Sequence, residues 1–302
     1  MRAPASLQAN RPGLGIFWML VTGLFFVAVT ALVKHGAQDL PAAQSAFLRY
    51  VIGLVFLAPL LKPILAAGLT RNQVILFGWR GMAHSIGVIL WFFAMTRITV
   101  AEVTAMNYMA PVYITIGAAL FLGERLALRR IMAIGLAFIG ALIILRPGFR
   151  ELSSGHIAML GTAVLFAISY LMAKQFSGQV SAAVIVGMLS LFCTIGLAPF
   201  AFAVWQTPTL AEIGWMALVA FFATAGHYTM TLAFAAAPVT VTQPVTYLQL
   251  IWATLLGLWA FGEPVDGWVL LGGAIILASV TFITIREAML KRRHAAVGGF
   301  ES

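Results

Sequence analysis

Residues 107–125 read NYMAPVYITIGAALFLGER, and residues 246–264, the same length of chain 139 positions later, read TYLQLIWATLLGLWAFGEP. Each is an apolar run long enough to cross a bilayer, opening beside a tyrosine (Tyr108, Tyr247) and closing on Gly-Glu (Gly123-Glu124, Gly262-Glu263). The match extends outward. The same shift carries Gly87 and Ala94 onto Gly226 and Ala233. A shift of 140 carries Gly15, Met19, Leu20, Thr22, Phe26 and Lys34 onto Gly155, Met159, Leu160, Thr162, Phe166 and Lys174, and Leu57-Ala58-Pro59 onto Leu197-Ala198-Pro199. A nearly constant offset over so many positions is the mark of an internal duplication.

Around these runs the chain is a series of similar stretches. Of 302 residues, 62% are hydrophobic and 9% charged, and the mean hydropathy is +1.00. No water-soluble surface can be built from that composition, so most of the chain must face lipid or other helices. About ten spans are expected, from Leu14–Val33 to Trp268–Ile285, five in each copy. Because five is odd, the second copy must cross the bilayer in the opposite sense to the first.

The charges support this inversion. After Gly123-Glu124 the chain continues with Arg125, Arg129 and Arg130, as a cytoplasmic loop should; after Gly262-Glu263 it continues with Pro264 and Asp266. A cytoplasmic N-terminus places twelve of the eighteen Lys and Arg residues inside, leaving Lys34, Arg97, Arg146 and Arg150 outside and Arg49 and Arg80 within spans. The expected layout is a cytoplasmic segment 1–13, a five-helix repeat 14–145, an external linker 146–154, a second repeat 155–285 and a basic tail 286–302, with both termini cytoplasmic. The fold class is therefore an all-α inner-membrane protein made of two inverted repeats.

Composition also limits the chemistry. The net charge of +9 lies in connecting segments, where it orients a membrane protein, so nucleic acid is not an expected partner. Both aspartates, Asp39 and Asp266, lie in loops, and the sequence has no HExxH, GxSxG or GxxxxGK[ST] pattern. No enzyme activity, cofactor or metal is expected. A membrane enzyme acting on a lipid, the alternative from another class, has no supporting motif. Cys193 has no partner cysteine and reads as core.

Polar groups inside a bilayer are costly, so they are the default site candidates. On the third span, Arg80, His84, Gly87 and Trp91 follow helical spacing and share a face. The fourth carries Asn107, Tyr108 and Pro111; the ninth carries Gln243, Pro244, Tyr247, Gln249 and Trp252. A proline in a span frees a carbonyl, and two such spans at related places mark a binding region. His227 on the eighth span lies at similar depth. Arg49 and Glu102 are expected to pair near the outer side as a clamp or gate, while Glu124 and Glu263 sit at helix ends as gating or structural residues. Trp91, Tyr108, Tyr247 and Trp252 would stack on a planar ring while Asn107, Gln243 and Gln249 meet its polar edge; Arg80 would instead suit an acidic group. Both readings stay open.

The segment from Ala110-Pro111-Val112 to Gly123-Glu124, followed by Gly135 and Gly140, resembles the drug/metabolite transporter superfamily, in particular its EamA-type members, as does Arg49 in the second span. The resemblance implies ten helices around a central cavity with alternating access of a small solute. Such proteins often carry Glu-Pro where this chain has Gln249-Leu250, which argues against amino-acid export. The run Tyr247-Leu248-Gln249-Leu250-Ile251-Trp252-Ala253 is more similar to a bacterial subgroup that includes riboflavin transporters. The implied partners are a small-molecule solute and the lipid bilayer, with monomer and homodimer both open. The alternative within the superfamily is an amino-acid or metabolite exporter.

Overall fold

The computed structural model describes residues 11–36, 38–58, 62, 66–122, 128–149, 151–176, 180, 182–237, 242, 245 and 248–298. In chain order the helices are α1 (Pro12–Gly36), α2 (Ala42–Phe56), α3 (Arg71–Met95), α4 (Val100–Asn107), α5 (Ala110–Leu122), α6 (Leu128–Leu145), α7 (Ser154–Phe176), α8 (Ala182–Ala203), α9 (Leu210–Ala236), α10 (Leu248–Phe261) and α11 (Gly267–Gly298). Five of them hold segments long and apolar enough to cross a membrane: Pro12–Gly36, Arg71–Met95, Ser154–Met172, Val184–Ala203 and Leu210–Met230. Shorter apolar segments in α2, α6, α10 and α11 and the α4–α5 pair complete the ten spans.

Helix starts are written in the sequence. Thr70, Thr99 and Thr209 cap α3, α4 and α9, each accepting the N–H of the residue three positions on. Gln73, Glu102 and Glu212 reach back to the cap N–H. These boxes satisfy donors that would otherwise be stranded at a membrane boundary.

The span expected as one helix from Val100 to Leu122 is two. Pro111 has no N–H, and its ring crowds the carbonyl one turn back. The chain turns at Tyr108-Met109 with short-range bonds, Tyr108 N–H to Ala105 O (3.2 Å) and Met109 N–H to Met106 O (3.0 Å). The last helix continues past the end of its apolar stretch, through the basic segment to Gly298.

The two repeats interlock. α1 packs on α9 and, in the other copy, α7 on α3; α3 packs on α8 and α9 on α2; α5 packs on α7 and α10 on α1; α2–α8 and α6–α11 pair with each other. Exchanging the copies reproduces the list, which defines a pseudo-two-fold relation. Single residues obey it. A Cβ on Gly15 would collide with Ala237 and lie 3.3 Å from Ala233 O; one on Gly155 would lie 2.9 Å from Ile98 Cγ2 and 3.5 Å from Ala94 O. Ala94 and Ile98 precede Ala233 and Ala237 by 139 positions. Gly140 and Gly272 likewise bring α6 and α11 together, each facing the other's carbonyl (2.7 and 2.5 Å from an added Cβ).

Phe92, Met95, Met106, Met109, Ile144 and Met159 fill the shared core, and Trp79, Leu120, Ile157 and Trp259 stand on the outside. The apolar exterior explains the composition: these side chains face hydrocarbon, where exposure carries no penalty.

Candidate functional site

Four of the expected site residues converge between the repeats. Arg49 comes from α2, Arg80 and His84 from α3, and His227 from α9. His84 lies within electrostatic range of Arg80, Arg49 and His227, and His227 within that of Arg49. At about 1.5 Å per residue, Arg80 lies about 13 Å along α3 from Arg71, and His227 about 13 Å from the end of α9, so the group is well inside the bilayer.

The second repeat supplies the surroundings. His84 stacks on Phe166 of α7 (centroids 4.6 Å apart, planes 19°), meets Tyr170 edge-on at 6.4 Å, and its Nδ1 is 3.2 Å from Ser169 Oγ. Arg80 is 4% exposed. It donates from Nη1 to the Ile185 carbonyl of α8 at 3.0 Å, while its Nε is buried without an acceptor. The Arg49 guanidinium sits 4.1 Å from the centroid of the Tyr50 ring. Tyr50 lies beside Cys193. That cysteine is buried, as expected of a core residue, with Sγ 3.8 Å from Gly81 O. His227 lies edge-on to Phe26 at 5.2 Å. Phe26 and Phe166 are repeat mates, so each copy offers a phenylalanine to a histidine of the other.

The remaining candidates divide. Asn107, at the break between α4 and α5, keeps a buried Oδ1 with no donor, and Tyr108 and Pro111 form the turn beside it. Gln249 faces α1 at Gly23 (3.9 Å from an added Cβ). Trp91 packs edge-on against Phe92 at 5.8 Å. Trp252 is 37% exposed and joins no ring contact with the cluster. Gln243, Pro244, Tyr247 and Glu124 lie outside the described residues.

The expected Arg49–Glu102 pair does not form. Glu102 is committed elsewhere: Oε2 accepts the Thr99 N–H as the cap of α4 (2.9 Å), and Oε1 is 3.2 Å from His156 Nε2 of α7. Arg49 turns to the Tyr50 ring instead.

The Glu102–His156 contact belongs to a set of polar links at one end of the bundle, where α1, α3, α6 and α10 finish. Lys34 Nζ is 2.5 Å from Glu263 Oε1 and donates to Ile98 O at 2.7 Å. Glu263 Oε2 accepts the Val100 N–H at 3.0 Å, at the positive end of α4. Arg146 pairs with Asp266. Gln44 donates to Gln206 O (2.6 Å) and accepts its N–H (2.9 Å). Apart from the Lys34–Ile98 bond, which stays within the first repeat, each of these links joins the first repeat, or Arg146 just after it, to the second. Beside them lies a pocket of about 270 Å³ lined by Gln38, Asp39, Ser45, Phe92 and Arg97 among others. Lys34, Gln44, His156 and Gln206 were not picked out as site residues. One signal was available: Lys34 and Glu263 are both positions kept between the copies.

A model of the EamA-like transporter family matches the chain twice, over residues 13–146 and 153–285. A riboflavin transporter of Vibrio cholerae is 30% identical over 293 residues, covering 94% of this chain and 97% of that one. A pseudopaline exporter of Pseudomonas aeruginosa is 26% identical, covering 88% and 94%. A solved crystal structure with 17% identity superposes with a TM-score of 0.57 over 93% of this chain and 99% of that one, a likeness of fold. With both halves matched to one family of multi-pass membrane transporters, and the helices interlocked as two repeated five-helix units, the chain belongs to the EamA-like transporter family.

Proposed function

We propose that this chain is a secondary transporter that moves a small heterocyclic metabolite, riboflavin or a similar vitamin or cofactor, across the bacterial inner membrane by alternating access. The observation that carries the reading is the polar cluster of Arg49, Arg80, His84 and His227 at mid-bilayer, at the face where the repeats meet. Buried polar and charged groups brought together from both half-bundles, the two arginines from the first and His227 from the second, are the arrangement expected of a solute site reached from alternate sides. The riboflavin transporter among the relatives supports the choice of solute. The aromatic lining of Phe166, Tyr170 and Tyr50 suits a flat ring system. The positive-inside rule sets the Lys34 end toward the outside, so the cross-repeat links there hold the outer entrance shut.

The test is counterflow of labelled riboflavin in proteoliposomes holding the purified full chain. Uptake above protein-free vesicles, abolished by excess unlabelled riboflavin, supports the reading. A chain that exchanges no riboflavin overturns this choice of solute. The pseudopaline exporter among the relatives favours a second reading, metabolite export, which expulsion of solute from loaded cells would support.

A further inference from the structure

Among the described residues, neither arginine of the central cluster is paired with a carboxylate. Arg80 is 4% exposed, spends one nitrogen on the Ile185 carbonyl, and keeps Nε buried and unpaired. Among the described residues, the Arg49 guanidinium meets the Tyr50 ring. The groups within electrostatic range of Arg80 are Tyr50, Tyr170 and Cys193, neutral in their ordinary forms; those within range of His84 are Arg80, Arg49 and His227, none of them acidic. Among the described residues, every ion-paired carboxylate is at the Lys34 end: Glu263 on Lys34, Asp266 on Arg146, Glu102 on His156.

Guanidinium groups keep their charge, and a buried charge is tolerated when it is paired or when it awaits a partner. The bland explanation for Arg80 is a helix tie to Ile185. It accounts for Nη1. It leaves the idle Nε, and it gives no reason for a second guanidinium in the same buried neighbourhood. An acidic group brought by the solute accounts for both guanidiniums: planar guanidinium forks match carboxylate and phosphate oxygens, and the Phe166–His84 stack supplies a flat wall beside them.

Building on the transport reading, we infer that the central site selects organic anions: a planar aromatic or heterocyclic solute bearing a carboxylate or phosphate, its acidic group held between Arg49 and Arg80 and its ring beside His84 and Phe166. Riboflavin itself is uncharged at neutral pH, so the inference separates from the choice of riboflavin.

The experiment uses twin ligands that share a ring and differ in charge: riboflavin against riboflavin 5′-phosphate, and nicotinamide against nicotinate. Binding to the purified full chain is measured by calorimetry in nanodiscs of phosphatidylcholine alone, so that no anionic lipid headgroup competes. In at least one pair the anion is expected to bind at least tenfold more tightly. Preference in the first pair alone marks a phosphate site; preference in the second marks a carboxylate site. Arg80→Gln and Arg49→Gln should each abolish the difference, and Arg80→Lys should keep part of it. Should either Gln variant fail to fold, competition on the wild-type chain reads the same property: sulfate should weaken the anionic twin and leave the neutral one unchanged. No preference within either pair, or one that survives both Gln substitutions or resists sulfate, overturns the inference. Riboflavin counterflow without anion preference would refute this inference alone; anion preference without riboflavin counterflow would refute riboflavin as the solute alone.

Discussion

Replacing Glu263 by glutamine tests whether the polar links at the Lys34 end act as a latch. Glutamine keeps the volume and an oxygen for the Val100 N–H, so the change isolates the charge opposite Lys34, 2.5 Å away. The two side chains are 16% and 11% exposed, between a surface pair, worth about 0–1 kcal/mol, and a buried pair, where losing one partner costs about 3–5 kcal/mol. A loss of about 2 kcal/mol follows, which shifts the balance between closed and open forms of this end about 30-fold. The readout is the labelling rate, by a membrane-impermeant maleimide, of a cysteine placed at Ser45 in a Cys193→Ser background. Ser45 is fully buried yet lines the pocket beside the latch. Labelling should accelerate about 30-fold in Glu263→Gln, by a similar factor in Lys34→Gln, and by little more in the double variant, because the two residues share one interaction. Rates within twofold of the parent would refute the latch.

Further expectations concern packing and the site. Gly15→Val forces a side chain into Ala237 and should destabilise by about 1–3 kcal/mol, seen as a lower Tm in detergent, whereas Gly53→Ala, with nothing within 4 Å, should change Tm little. Thr229→Val removes the 2.8 Å hydrogen bond to Thr22 between the repeats and should cost about 0.6 kcal/mol, a small drop in the same melting experiment. His84→Ala loses the Ser169 contact and the Phe166 stack. It should lower counterflow about tenfold with unchanged membrane insertion; Tyr247→Ala should also impair counterflow, and normal rates in both would remove these residues from the site.

The fold was legible because its determinants are periodic and repeated. Span length, the odd number of spans per copy and the Gly15/Gly155 and Glu124/Glu263 matches are properties of a one-dimensional string. The capping boxes at Thr70, Thr99 and Thr209 are local as well. The break at Tyr108-Met109 follows from Pro111, whose missing N–H acts one turn away.

The site was legible only in part. Arg80 and His84 lie on one helix at helical spacing, so their shared face could be read directly. Arg49 and His227 were recognisable as polar residues out of place, though their meeting depends on how α2 and α9 pack. The Arg49–Glu102 pair, expected within the first repeat, gives way to competing partners: Glu102 serves its own helix cap and meets His156 of the second repeat, a residue the sequence places far away. Trp252 illustrates another limit: an aromatic on an apolar helix looks the same in sequence whether it faces a cavity or the outside, and its side chain is 37% exposed.

The most direct test of alternating access at the central cluster is the sidedness of a cysteine at Ser169, the neighbour of His84, in the Cys193→Ser background. A small anionic methanethiosulfonate is applied to right-side-out and inside-out vesicles. The account predicts modification from the face opposite Lys34 in the otherwise unchanged chain, and from the Lys34 face once Glu263→Gln has loosened that end. Modification from both faces at once, or from neither in either background, would contradict it.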